Sequence, residues 1–381
     1  MLQQEFEKLF GDTKGMIISI APGRVNLIGE HTDYNQGFVL PTTIDKAIYL
    51  AVRKRSDRTC HLYSVNFKNS VTFSLDHLEK ESPISWADYM KGVMQVLQNA
   101  HHQYTGIEGI VYGDIPIGAG LSSSAALEIV TINALQYLFN LPLQPLTMIQ
   151  LAQQAENTFI GMCCGIMDQF VSLLGKENKA LFIDCLNLNH SLIPLNFTNH
   201  CLLIINSKIK HELVSSAYNE RRSQCEEGVK YFHTLDPNIS SLRQVSWQLF
   251  DCNRAQLARI IQHRCQHVIT ENARVLQAIE NLKSQDMERL GKLLYASHLS
   301  LKNDYEVSCE EIDFIVETAI ENGALGARIT GGGFGGCAIA LTTKALAPSL
   351  THIISGKYQQ KFGIIPDIMM LNKNLEAQIK Q

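Results

Sequence analysis

The sequence predicts an α+β fold built from two domains. The chain has 381 residues, about the length of two ordinary domains. Helical and strand-like segments follow one another in mixed order rather than as repeating βα units, which disfavours a doubly wound parallel sheet. At 45% hydrophobic and 18% charged residues, the chain carries enough apolar side chains for sizeable cores.

The elements follow in order. MLQQEFEKLFGD places apolar and charged residues at helical spacing and includes Glu5, Glu7 and Asp12. Those acids argue against a signal or transit peptide, so a short amphipathic helix is expected. Met16–Ile20 is an apolar run ending in Ala-Pro-Gly, a strand entering a tight loop. Ala47–Val52, His61–Val65 and the alternating Val71–Leu75 read as strands. Trp86–Ala100 has apolar residues at 89, 90, 93, 94 and 97, a helical spacing. A short strand at Gly109–Tyr112 precedes a glycine-rich loop, Pro116–Ser124, and helices over Ala125–Phe139 and Leu146–Gly161. Leu181–Asp184 and Leu202–Asn206 read as strands, separated by a polar stretch without periodicity. The domain boundary is expected in that stretch, giving domains of 1–195 and 196–381. The second half carries helical patterns at 213–233, 254–282 and 286–300, then a strand, a glycine-rich turn and a strand near 327–341.

Several function classes are disfavoured. The net charge is −4, and the densest basic run, Arg53 to Arg55, ends in Ser-Asp as a solvated turn would, so no nucleic-acid partner is expected. No apolar stretch approaches the ~20 residues that span a bilayer. The ten cysteines are scattered. Only Cys163 and Cys164 are close, and no zinc-ligand spacing occurs, so reduced thiols in a cytoplasmic protein are expected. His101 and His102 read as two exposed imidazoles before a loop.

Four segments carry candidate chemistry. Gly118, Ala119, Gly120, Leu121, Ser122, Ser123 and Ser124 open a helix. Glycines there let the backbone approach an anion, and the helix start offers free N–H groups. No lysine follows, so this is not a Walker A loop, and a serine-capped turn is the alternative. Pro22–Asn35 packs Arg24, Glu30, His31, Thr32 and Asp33 into ten residues, suiting a ligand rich in hydroxyls; a metal site or a plain polar loop are the alternatives. Glu156 lies in a helix, and Asp168 follows an apolar Gly-Ile-Met, where an acid is costly without a partner or a task. Arg328–Gly336 is a second glycine-rich turn, either pressing backbone against a ligand or forming a hairpin.

Together these segments resemble the GHMP kinase superfamily, and within it the galactokinases. PGRVNLIGEHTDYN resembles their sugar-binding motif, PIGAGLSSSAALE the superfamily phosphate loop, RITGGGFGGC the third superfamily motif, and AENTFIGMCCGIMDQF the segment with the catalytic Asp and a Mg²⁺ ligand. SSAYNERRSQCEE and SHLSLKNDYEVSCEEID are also similar, so the resemblance spans about residues 16 to 340. It implies a two-domain GHMP-kinase-like fold with the active site in the interdomain cleft, transferring the ATP γ-phosphate to the anomeric hydroxyl of α-D-galactose. Asp168 is then the catalytic base with Arg24 beside it. Glu30, His31, Thr32, Asp33, Gly165, Asp168 and Tyr218 hold the sugar. Ser64 and Gly118–Ser124 contact ATP. Ser124 and Glu156 bind Mg²⁺. The expected partners are galactose and ATP, and a monomer is expected. Two departures stand out: the ending DIMMLNKNLEAQIKQ, and Cys163 where many members have Pro. The competing readings are a sugar-1-kinase for N-acetylgalactosamine or arabinose, and a non-catalytic sugar sensor, though the intact SSSAALE and Asp168 speak against the sensor. Mevalonate and homoserine kinases lack the GEHTDYN run.

Overall fold

The structure, a computed structural model, describes residues 2–210, 214–371 and 374–381; position 213, the expected start of a helix, lies outside the described residues. In the first half the order is α1 (Leu2–Phe10), β1 (Ile17–Asn26), β2 (Phe38–Val39), β3 (Pro41–Lys54), β4 (Thr59–Ser64), β5 (Asn69–Ser74), α2 (Trp86–Asn99), β6 (Ile107–Gly113), α3 (Ser123–Phe139), α4 (Pro145–Ala155), α5 (Met167–Leu174), β7 (Lys179–Asp184) and β8 (Asn189–Pro194). The second half adds β9 (His200–Lys210), α6 (Val214–Leu235), α7 (Trp247–Asn253), α8 (Arg259–Ser284), α9 (Met287–Asn303), α10 (Glu310–Glu321), β10 (Gly326–Thr330), β11 (Gly335–Thr343), α11 (Ala347–Phe362), β12 (Asp367–Met370) and β13 (Gln378–Lys380).

Among the described residues three sheets result, in the orders β13-β1-β3-β6-β4-β5, β10-β11-β9-β12 and β2-β7-β8. Within the first, β4 and β6 are parallel and the other neighbours antiparallel. Helix α3 packs on β1 and β3 and against α2, α4 and α5. Its sequence is apolar nearly all round, as a helix enclosed between a sheet and other helices must be. Helix α1 seats the fully buried Phe6 against Ala51 and Ile110, closing the sheet's other face.

Three sequence expectations need correction. Strand β1 does not stop at Ala-Pro-Gly. It continues to Asn26 through an irregularity between Pro22 and Arg24, where a bulge accommodates the missing proline N–H and carries Arg24 onward. The helix expected over Leu146–Gly161 ends as an α-helix at Ala155 and widens into a π turn over Glu156–Ile160. The polar stretch near 190 contains β8, whose exposed residues hide the period-two signal. The unusual C-terminal segment is accommodated by pairing twice: β12 with β9, and β13 with β1. It therefore ties the first sheet to the second.

Candidate active site

A cavity of about 1120 Å³ opens between the two halves of the chain. At its centre lies Asp168, in the first turn of α5. Arg24, delivered by β1, donates Nε to Oδ1 at 2.9 Å and Nη2 to Oδ2 at 2.8 Å. This two-point fork is the strongest geometry for a guanidinium and a carboxylate. The third arm, Nη1, donates to the Gly120 carbonyl at 2.6 Å, so one arginine links the acid to the glycine-rich loop. Ser122 adds a hydroxyl donated to Asp168 Oδ2. Ser122 has φ 60°, and its side chain makes no cap bond to α3. The serine-cap alternative therefore fails for this residue, and the first N–H groups of α3 remain available to a ligand.

The Glu30 end is enclosed. Glu30 accepts from the Asn26 amide at 2.5 Å, the Thr330 hydroxyl at 3.1 Å and the Gly331 N–H at 2.8 Å, and pairs with Arg328 at 2.8 Å. Burial raises its pKa against the pull of Arg328. His31, at φ 61°, bonds Tyr34 through Nδ1 at 2.7 Å. Burial, then His267 and Arg221, hold its pKa well below the ordinary imidazole value, so the ring is neutral. Asp33 is pushed up to about 6, first by burial and then by the nearby Asp168 charge. Gly165 packs so closely that a Cβ would lie 1.9 Å from Asp33 Oδ2; only glycine leaves that carboxylate its place. The Tyr218 ring packs tilted against His31 and edge-on to Tyr34, each at a centroid distance of 5.3 Å.

This end is braced from the second half. Helix α8 sends Glu271 Oε1 to the Gly29 N–H at 3.0 Å, Asn272 Oδ1 to the Phe38 N–H at 2.8 Å, and His267 Nε2 to the Glu30 carbonyl at 3.1 Å. Burial raises Glu271, but Arg274, His267 and Arg328 outweigh it and bring it down to about 2. Arg328 Nη1 donates to the Leu27 carbonyl at 2.9 Å.

On the other side of Asp168 stand the metal candidates. Glu156, on the π turn, is pushed up to about 7 by burial and then by Asp168; Ser124, the Cys164 thiol and Gln169 all hydrogen-bond to it. A carboxylate and a hydroxyl beside the glycine-rich loop form an oxygen-donor pair of the kind that holds Mg²⁺. Among the described residues no group of three or more His, Cys, Asp or Glu could hold a metal unaided.

Of the site residues that the resemblance implies, fifteen line this one cavity: Arg24, Glu30, His31, Asp33, Ser64, Gly118, Gly120, Leu121, Ser122, Ser123, Ser124, Glu156, Gly165, Asp168 and Tyr218. Two do not. The Thr32 hydroxyl is spent on the Gly29 and Phe38 carbonyls at 2.8 and 2.6 Å, holding the turn from behind. The Ala119 side chain joins the core. The Ser64 hydroxyl accepts the Phe67 N–H at 3.3 Å, setting the turn after β4. The turn at Gly331–Gly336 is pressed against the loop at Gly118–Ser124: a Cβ at Gly331, with φ 85°, would meet the Gly120 carbonyl at 2.7 Å. Sequence reasoning missed the apolar walls of the open end, which include Phe67, Ile84, Trp86, Tyr89 and Ile117. Trp86 and Tyr89 fell within a helical pattern, which does not tell a cavity wall from a core face.

The chain resembles known proteins over nearly its whole length. Residues 4–54 match the galactokinase galactose-binding signature, 88–176 the GHMP kinases N terminal domain, and 278–360 the GHMP kinases C terminal. A galactokinase of Fusobacterium nucleatum is 39% identical over 376 residues, covering 97% of each chain. The crystal structure of Lactococcus lactis galactokinase complexed with galactose superposes with a TM-score of 0.95 at 37% identity, covering 99% of this chain and 98% of that one. Methanococcus jannaschii mevalonate kinase, at 20% identity and a TM-score of 0.63 over 94% of this chain and 98% of its own, shares the fold.

Proposed function

The chain belongs to the galactokinase family of the GHMP kinases, and from that premise we propose how its cavity carries the reaction. The enzyme transfers the γ-phosphoryl group of ATP to the anomeric hydroxyl of α-D-galactose, giving α-D-galactose 1-phosphate and ADP. This is the first phosphorylation step of galactose catabolism.

In our reading Asp168 is the base on the 1-hydroxyl. The observation that carries it is the pair of hydrogen bonds from Arg24 together with the Ser122 hydroxyl: the carboxylate is aimed and tied to the loop that holds the phosphates. Arg24 also offsets charge on the phosphoryl group in flight. Glu30, His31, Asp33 and Tyr218 pair with the sugar hydroxyls, and the Gly165 backbone leaves room for Asp33. The backbone of Gly118–Ser124 and the α3 N-terminus receive the phosphates, with Ser64 near the nucleotide. Phosphoryl transfer demands mainly positioning and charge stabilisation, which these groups supply.

Ser124 and Glu156 are the proposed protein ligands of Mg²⁺. An ion that keeps several waters and takes phosphate oxygens needs no more from the protein, and a buried carboxylate pushed up to about 7 gains from a cation. When bound, Mg²⁺ neutralises charge on the β- and γ-phosphates. Division into domains at 1–195 and 196–381 is supported by the first strand of the second sheet starting at His200. A cytoplasmic location is supported by ten free cysteines.

The test is ADP release over galactose, N-acetylgalactosamine, arabinose, glucose and mevalonate. Galactose is expected to be turned over best; activity confined to another acceptor overturns the substrate assignment.

A further inference from the structure

Two fully buried residues beside the catalytic centre have no role in the reading above: Glu128, in the second turn of α3, and Gln169, next to Asp168 on α5. Gln169 donates both hydrogens of its side-chain amide, one to Glu156 Oε2 at 2.8 Å and one to Glu128 Oε2 at 3.0 Å. Its own oxygen, Oε1, is buried and has no hydrogen-bond partner. The amide is therefore oriented by its two acceptors. A flip would give up both of these hydrogen bonds at once.

Glu156 needs such a brace. It opens a π turn, where the regular helical ladder is interrupted. Gln169 and the Cys164 thiol both take the same oxygen, Oε2, and Oε1 is taken by neither. We propose that Gln169, anchored by Glu128, is a positioning residue that aims the Glu156 carboxylate at the metal bound with the nucleotide. This rests on the assignment of Glu156 as a metal ligand. Gln169 also shares a helical turn with Asp168, so one turn of α5 carries the base and sets the ligand.

The experiment measures Mn²⁺ binding to the protein–ADP complex by electron paramagnetic resonance, alongside the Mg²⁺ dependence of turnover, the galactose KM and a thermal melt. Gln169→Met keeps the side chain's length and removes the amide. It is expected to weaken Mn²⁺ binding about tenfold or more, as removal of outer partners of metal ligands does, with the galactose KM within about twofold of the parent. Glu128→Gln retains an acceptor for the amide and is expected to stay near the parent, whereas Glu128→Leu falls with Gln169→Met. Unchanged Mn²⁺ affinity in Gln169→Met and Glu128→Leu overturns the proposal, as does an equal loss in Glu128→Gln and Glu128→Leu. If Gln169→Met does not fold, the two Glu128 variants decide. Glu156→Ala separates the levels. Undiminished Mn²⁺ binding there removes Glu156 as a ligand; a loss there with none in Gln169→Met removes the positioning role alone.

Discussion

The two ends of the cavity are built on opposite plans. At the proposed sugar end, Glu30 and His31 are buried, and the loop carrying them is held by Glu271, Asn272, His267 and Arg328 from the other half of the chain. The proposed nucleotide end is a glycine-rich backbone and an apolar rim, with Phe67 52%, Ile84 47% and Ile117 56% exposed. A neutral polyol offers only hydroxyls, so its selection depends on polar groups aimed in advance and penalised when unpaired. A triphosphate brings its own charge, and N–H groups at a helix start capture it without enclosure. Asp168 sits where the plans meet.

Substitutions can break or sharpen this contrast. The largest effect is expected at the junction. Asp168→Ala should lower kcat by about 10³-fold or more while ATP still binds by calorimetry; near-normal turnover would remove Asp168 from the mechanism. Next comes stability at the enclosed end. Arg328→Met leaves the Glu30 charge buried without its cation and is expected to cost about 3–5 kcal/mol in chemical denaturation. Ile117→Ala at the open rim should stay within about 0.5 kcal/mol. Equal losses would dissolve the distinction.

Affinity effects should be smaller and should cross over. Tyr218→Ala is expected to raise the galactose KM about tenfold with little change for ATP, and Phe67→Ala to raise the ATP KM instead. Steady-state kinetics with each substrate varied would expose any reversal.

The smallest effect concerns pH. Asp33 lies near pKa 6 in the folded protein, from burial and then the Asp168 charge, against 3.8 for an ordinary carboxyl. A raised folded-state pKa means this stabilising contribution is fully present below about 3.8 and is lost as pH climbs through about 6. Asp33→Asn should therefore melt about 2 °C above the parent at pH 8, with the gap closing below pH 4, while its galactose KM rises. In the parent, kcat/KM for galactose should fall as the pH drops below about 6. A lower melting temperature for Asp33→Asn at pH 8 would contradict the buried-charge account.

Much of the site was legible because its chemistry lies in contiguous runs. Arg24, Glu30, His31 and Asp33 share one segment, and Gly118 to Ser124 another. A loop that must shape itself around a ligand carries its glycines and polar groups in a row. Thr32 shows the limit of that reading: its position in the motif suggests the sugar, but its hydroxyl holds the turn together. The braces were illegible for a different reason. His267, Glu271 and Asn272 lie on one long helix, where a polar residue facing a distant loop looks like one facing water. Helices α10 and α11 and strands β8, β12 and β13 also went unread. The three strands are short, and nearly all their residues are exposed or half-buried, so alternation had little to display.

The sequence by itself determined the family, the reaction class and most residues of the cavity, because local motifs encode local backbone shape and donor sets. The tertiary structure alone decided which groups meet. Glu30 is paired with Arg328, Asp168 with Arg24, and Glu156 is held through Gln169 to Glu128. Such pairings set charge, orientation and pKa, and they depend on how strands and helices far apart in the chain pack. Spacing along the chain carries no record of them.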